Sequence, residues 1–95
     1  MSNFNKYISK INQSLKTIDQ DSIDQCFFEI LSRVNSSNNI YLLGNGGSQA
    51  NAHHIAGDFI KTFSVAGLKL KISCLADNVC FMTAASNDYS FEDAY

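Results

Sequence analysis

Phe4, Tyr7, Ile8, Ile11, Leu15 and Ile18 recur at steps of three and four residues, which marks one apolar face of an amphipathic helix. Asn3 is a candidate N-cap for it. A second helix begins near Asp21 or Ser22 and carries Ile23, Phe27, Ile30, Leu31 and Val34. Asp19, Asp21 and Asp24 cluster at its start, where acids favour the helix dipole and read as solvated cap residues. The polar run Asn35-Ser36-Ser37-Asn38-Asn39 breaks the helix and turns the chain. Ile40-Tyr41-Leu42-Leu43 then reads as a short strand that empties into Gly44-Asn45-Gly46-Gly47-Ser48.

A third helix is predicted from about Ser48 to Phe63, with Ala50, Ala52, Ile55, Ala56 and Phe59 in its interior. Ser64-Val65-Ala66-Gly67 forms the next turn, and Leu70 to Leu75 forms a second strand. Because a helix crosses between them, the two strands are expected to be parallel. Asp77 is the expected cap of a short helix through Ala85, followed by a loop over Ser86-Asn87-Asp88-Tyr89. Ser90 opens one more helix, with Asp93 at the capping-box position.

This alternation of strand and helix is an α/β pattern. Two parallel strands are fewer than a sheet covered on both faces requires. The chain is therefore expected to be the first half of a domain, with residues 1–39 a helical segment and residues 40–95 the beginning of a ligand-binding unit. The first helix has nothing obvious to cover inside so small a unit, so its apolar face is expected at a contact between copies.

The 95 residues carry a formal net charge of −2 and no basic patch, which argues against a nucleic-acid partner. No apolar run approaches the length of a membrane span, and the polar N-terminus lacks a secretory apolar core. The expected location is the cytoplasm. Cys26, Cys74 and Cys80 form no CxxC pair and fall at apolar-patterned positions, so all three are expected to be buried free thiols.

The glycine turn carries the chemistry. A glycine-rich strand-to-helix turn lets the backbone take positive φ and lets a ligand approach. The helix start behind it offers unpaired N–H groups and the positive dipole end, a setting for an anion and most often a phosphate. GxGxxG fails because Gln49 stands where its third glycine should be, and the Gly-Lys-Ser/Thr of a Walker A loop is absent. Asn45, Gly46, Gly47 and Ser48 instead offer bare amides, one carboxamide and one hydroxyl, suited to a small phosphate or to sugar hydroxyls. The competing reading is a tight turn that binds nothing.

His54 and Asp58, four apart, share one helix face. They could hold one metal ion, or Asp58 could serve as a base beside a histidine; the plainer alternative is an ordinary surface pair. His53 lies about 100° further round the helix and reads as a solvent or packing residue. Asn87-Asp88 falls where a loop can reach the strands' carboxyl edge, though Asn-Asp is also common turn chemistry.

Taken together, Gly44-Asn45-Gly46-Gly47-Ser48, His54-x-x-x-Asp58, Ala76-Asp77-Asn78 and Ser86-Asn87-Asp88-Tyr89 resemble the SIS (sugar isomerase) domain family. Within it the likeness is greatest to the branch that isomerises sedoheptulose 7-phosphate. The resemblance covers nearly all of the chain and the first half of the family's domain. It implies a three-layer α/β/α sandwich with a parallel sheet, and a homotetramer. It also implies a heptose 7-phosphate product destined for lipopolysaccharide or another surface polysaccharide. By resemblance Asn45, Gly46, Gly47, Ser48, Asp58, Asn87 and Asp88 contact the sugar phosphate, and His54 and Asp58 bind zinc. The family's remaining zinc ligands, a glutamine and a histidine, have no counterpart in this chain. Asp58 would also be the catalytic base, at a position where many members have the longer glutamate. Members without catalytic activity keep the same turn, so a sugar-phosphate-binding or regulatory module of the replication-initiation type is the rival reading.

Overall fold

The structure is a computed structural model and describes residues 2–95. Helix α1 spans Asn3–Lys16, and its cap is Ser2, whose hydroxyl accepts the Asn5 N–H at 3.2 Å. Asn3, the expected cap, is already helical because Ser2 takes the extended conformation a cap needs. Helix α2 spans Gln20–Ser32, starting earlier than Asp21. The reason is Asp19, whose carboxylate accepts the Asp21 N–H at 3.2 Å and the Ser22 hydroxyl at 2.6 Å.

Strand β1 (Asn39–Leu42), helix α3 (Gly47–Val65) and strand β2 (Lys71–Cys74) form one βαβ unit. The strands are parallel, with Ile40 opposite Ile72 and Leu42 opposite Cys74. Asn35 ties the end of α2 to the approach to β2. Its backbone N–H donates to the Lys69 carbonyl at 2.8 Å, and its side-chain oxygen accepts the Lys69 N–H at 2.9 Å. Asn35 holds φ at +57°, a left-handed conformation that asparagine tolerates better than most residues.

The core lies between α3 and the strands. Ala52 and Ala56, one turn apart, let the helix backbone lie close to Leu70, Ile72 and Cys74. Val34, Ile40, Leu42, Phe59 and Phe63 close the margins of this cluster. Burying a side chain such as Ile72 contributes about 1.5–3 kcal/mol.

Helix α4 spans Val79–Asp88, and Asn78, not Asp77, caps it by accepting the Phe81 N–H at 2.9 Å. The expected loop at Ser86-Asn87-Asp88 is the last turn of this helix, which ends where the Tyr89 N–H donates to the Ala85 carbonyl at 2.9 Å. Helix α5 (Phe91–Ala94) follows, its Asp93 N–H received by the Ser90 hydroxyl at 3.0 Å, and it packs on α4.

Cys74 is buried as expected, whereas Cys26 and Cys80 are exposed. Those two sit on helices whose outer faces nothing covers among the described residues, so an apolar pattern did not become burial. The same holds for α1, where Phe4, Tyr7 and Leu15 remain more than half exposed. No described helix is long and apolar enough to cross a membrane.

Candidate functional site

The backbone at the carboxyl end of β1 and the first turn of α3 are pressed together at Gly44. A Cβ there would lie 2.6 Å from the Ser48 carbonyl carbon, 2.7 Å from its oxygen and 2.8 Å from the Gln49 nitrogen. Gly46, the residue before α3, holds φ +56° and ψ −123°, a conformation that side chains rarely allow. No side chain caps this helix. Asn45 O receives the N–H groups of Ser48 and Gln49 at 3.0 and 3.4 Å, and Gly46 O receives that of Ala50 at 3.1 Å. Among the described residues the N–H groups of Gly46 and Gly47 are left without a partner. Asn45, Gly46, Gly47 and Ser48 are all exposed, so the donors at the positive end of α3 are open to a ligand.

Two contacts around this turn escape a reading of the sequence. The Tyr95 hydroxyl lies 3.4 Å from Asn45 Oδ1 and 3.5 Å from the Gly44 carbonyl oxygen. Behind the turn, Gln49 Nε2 lies 3.1 Å from Cys74 Sγ, which pins the first turn of α3 to the end of β2. The one sequence signal for Tyr95 is the Ser90 cap, which starts a helix that places Phe91 and Tyr95 on one face.

His54 and Asp58 do come together, with Nε2 to Oδ2 at 3.3 Å and both side chains largely exposed. Two zinc ligands at about 2.0–2.1 Å in tetrahedral geometry stand roughly 3.3 Å apart, so this nitrogen–oxygen pair fits two corners of such a site. Among the described residues no third histidine, cysteine or acid joins them. Asp58 borders a cleft with Ile55 and Phe59, and it lies eleven residues along α3 from Gly47, or about 16 Å at 1.5 Å per residue. His53 lines a separate cleft of about 250 Å³, which Asp77 and Ser73 also border. Asn87 donates to Asp88 at 3.1 Å, and among the described residues neither side chain hydrogen-bonds the turn.

Phosphoheptose isomerases are among the known proteins similar to this chain. One from Aneurinibacillus thermoaerophilus is 36% identical over 73 residues, covering 77% of this chain and 37% of that protein. One from Synechocystis is 32% identical over 91 residues, covering 92% of this chain and 47% of that protein. A probable phosphoheptose isomerase from Thermoplasma volcanium is 33% identical over 86 residues, covering 90% of this chain and 44% of that protein. The chain thus spans less than half the length of these relatives. No solved structure matches it. The SIS domain pattern runs through residues 3–95, from the first turn of α1 past the glycine turn to Tyr95, and the chain belongs to the SIS domain family.

Proposed function

We propose that this chain is part of a sugar-phosphate aldose–ketose isomerase that converts sedoheptulose 7-phosphate to D-glycero-D-manno-heptose 7-phosphate. The product would serve heptose synthesis for lipopolysaccharide or another surface polysaccharide, in the cytoplasm. The observation that carries this reading is the open glycine turn, with the Gly46 and Gly47 N–H groups unpaired at the start of α3. The names of the similar proteins support it, as does the His54–Asp58 pair on the same helix.

Isomerisation moves a proton between the two carbons that exchange the carbonyl. The Asp58 carboxylate would take the proton from C1 of the ketose, leaving an enediolate, and return it to C2, while the C1 hydroxyl proton passes to the C2 oxygen to give the C1 aldehyde and the C2 hydroxyl. The turn holds the ligand's oxygens through Asn45, Gly46, Gly47 and Ser48, and holding fixes the reacting carbons relative to the base. Asn87 and Asp88 would complete the sugar contacts. His54 and Asp58 would hold a zinc ion, whose chemistry there is polarisation of the sugar carbonyl.

The separation within α3 bears on assembly. A seven-carbon phosphate extends about 10 Å at roughly 1.2 Å per bond, the advance of an extended chain. With a contact of about 3 Å at each end, it matches the ~16 Å along the helix between the turn and Asp58, whose side chain leans toward the helix start. The turn and Asp58 would serve one sugar, within one copy or between two, in a homotetramer whose contacts include the apolar face of α1.

The test is Asp58→Ala in the full-length protein, assayed with sedoheptulose 7-phosphate. Turnover should fall by at least a hundredfold, the lower end of what a positioned acid or base contributes, with assembly kept. Undiminished turnover refutes the role of Asp58. Full-length wild type that holds no zinc and turns over no substrate, yet binds the sugar phosphate, would favour the non-catalytic binding module instead.

A further inference from the structure

We infer that Tyr95 is a positioning residue that holds the carboxamide of Asn45 at the edge of the glycine turn. This deepens the sugar-phosphate reading and rests on it for the identity of the ligand. The Tyr95 hydroxyl faces two acceptors, Asn45 Oδ1 at 3.4 Å and the Gly44 carbonyl at 3.5 Å. A phenol has one proton to donate and lone pairs that accept, so it can serve the Gly44 carbonyl and the Asn45 carboxamide together. An asparagine amide alone can present its oxygen or its nitrogen in nearly the same shape. Either end can meet the Tyr95 hydroxyl, which therefore fixes where the Asn45 side chain lies.

The phenol is held to this task from behind. Its ring stands edge-on to Phe91, with centroids 5.4 Å apart and planes at 82°. Ala94, the residue before it, is buried, and α5 packs on α4. With Asn45 so fixed, the exposed rim of the turn carries the Gly46 and Gly47 amides and the Ser48 hydroxyl beside the Asn45 carboxamide. Such a rim selects an acceptor-rich ligand, a phosphate monoester or the oxygens of a polyol, and disfavours a cation.

The test uses the full-length protein and Tyr95→Phe, which removes the hydroxyl and keeps the ring on Phe91. Without ligand, the Asn45 side-chain amide resonances should shift in the variant while the melting temperature holds. With sedoheptulose 7-phosphate, the Kd should rise about fivefold, the scale of one ordinary hydrogen bond, and KM should rise by more than kcat falls. In an Asn45→Ala background the Tyr95→Phe change should add nothing, whereas a packing role would be additive. Unshifted Asn45 resonances, or additive losses, overturn the inference. Should wild type bind neither sedoheptulose 7-phosphate nor inorganic phosphate, the sugar-phosphate reading falls. The Asn45 resonances then decide the role of Tyr95 by themselves, a shift supporting it and no shift overturning it.

Discussion

Of three neighbouring glycines in the turn, two are needed for different reasons and the third is not, and substitution separates them. At Gly44 a methyl group would meet backbone atoms of Ser48 and Gln49 within 2.8 Å, and backbone cannot swing aside as a side chain can. Gly44→Ala should destabilise the protein by about 1–3 kcal/mol, the usual cost of overpacking, and weaken phosphosugar binding by prising α3 from β1. At Gly46 the space is open but φ is +56°, so Gly46→Ala meets strain of about 1–3 kcal/mol and no clash. Gly47 has open space and no such φ, so Gly47→Ala should leave the melting temperature nearly unchanged. Thermal melts of the three variants check this, and equal losses would refute it. The turn was legible in the sequence because glycine spacing after an apolar run is local information. Tyr95 was not, because its contact with Asn45 spans 50 positions and carries no periodic signal.

Among the elements, the start of α2 makes a pH-dependent prediction. The Ser22 hydroxyl, together with the N–H groups of Asp21 and Ser22, holds the Asp19 carboxyl below its ordinary value of 3.8. A depressed carboxylate favours the folded cap at pH values above that ordinary range. The advantage is lost as pH falls through the lowered value, because the protonated acid accepts these bonds poorly. Hydrogen exchange at Asp21 and Ser22, corrected for intrinsic rates, should therefore show protection falling in acid. In Asp19→Ala the protection should be low throughout and this acid step absent. Helices and strands were largely legible because their patterns of three, four and two are intrinsic to α3, β1 and β2. The end of α4 was not: Ser86, Asn87 and Asp88 have turn chemistry, yet a final helical turn tolerates them when Tyr89 can still reach Ala85. Caps slipped by one residue at Ser2 and Asn78 for a related reason, since Ser2-Asn3 and Asp77-Asn78 each offer two competent caps side by side.

On the scale of the whole molecule, the radius of gyration is 17.7 Å, against about 12 Å for a compact domain of this length. The excess lies in helices that stand away from the core, α1 above all, with Phe4, Tyr7 and Leu15 in solvent. The sequence showed that face but not what covers it, because amphipathicity specifies burial and not the partner. If copies of the chain supply that cover, as proposed, the same assembly can join the glycine turn of one copy to the Asp58 of another. Mixing then becomes diagnostic. Full-length Asn45→Ala and Asp58→Ala should each be impaired alone, one lacking a ligand contact and the other the base. Unfolded, mixed and refolded together, they would form some sites with an intact turn from one copy and an intact Asp58 from the other. Activity should reappear in the mixture to about a quarter of wild type, if subunits combine at random and each site draws on two copies. The same mixture should stay inactive when each variant also carries Ile11→Asp on the α1 face, which blocks assembly. Sites formed within a single copy predict no recovery at all, because every such site carries one of the two substitutions.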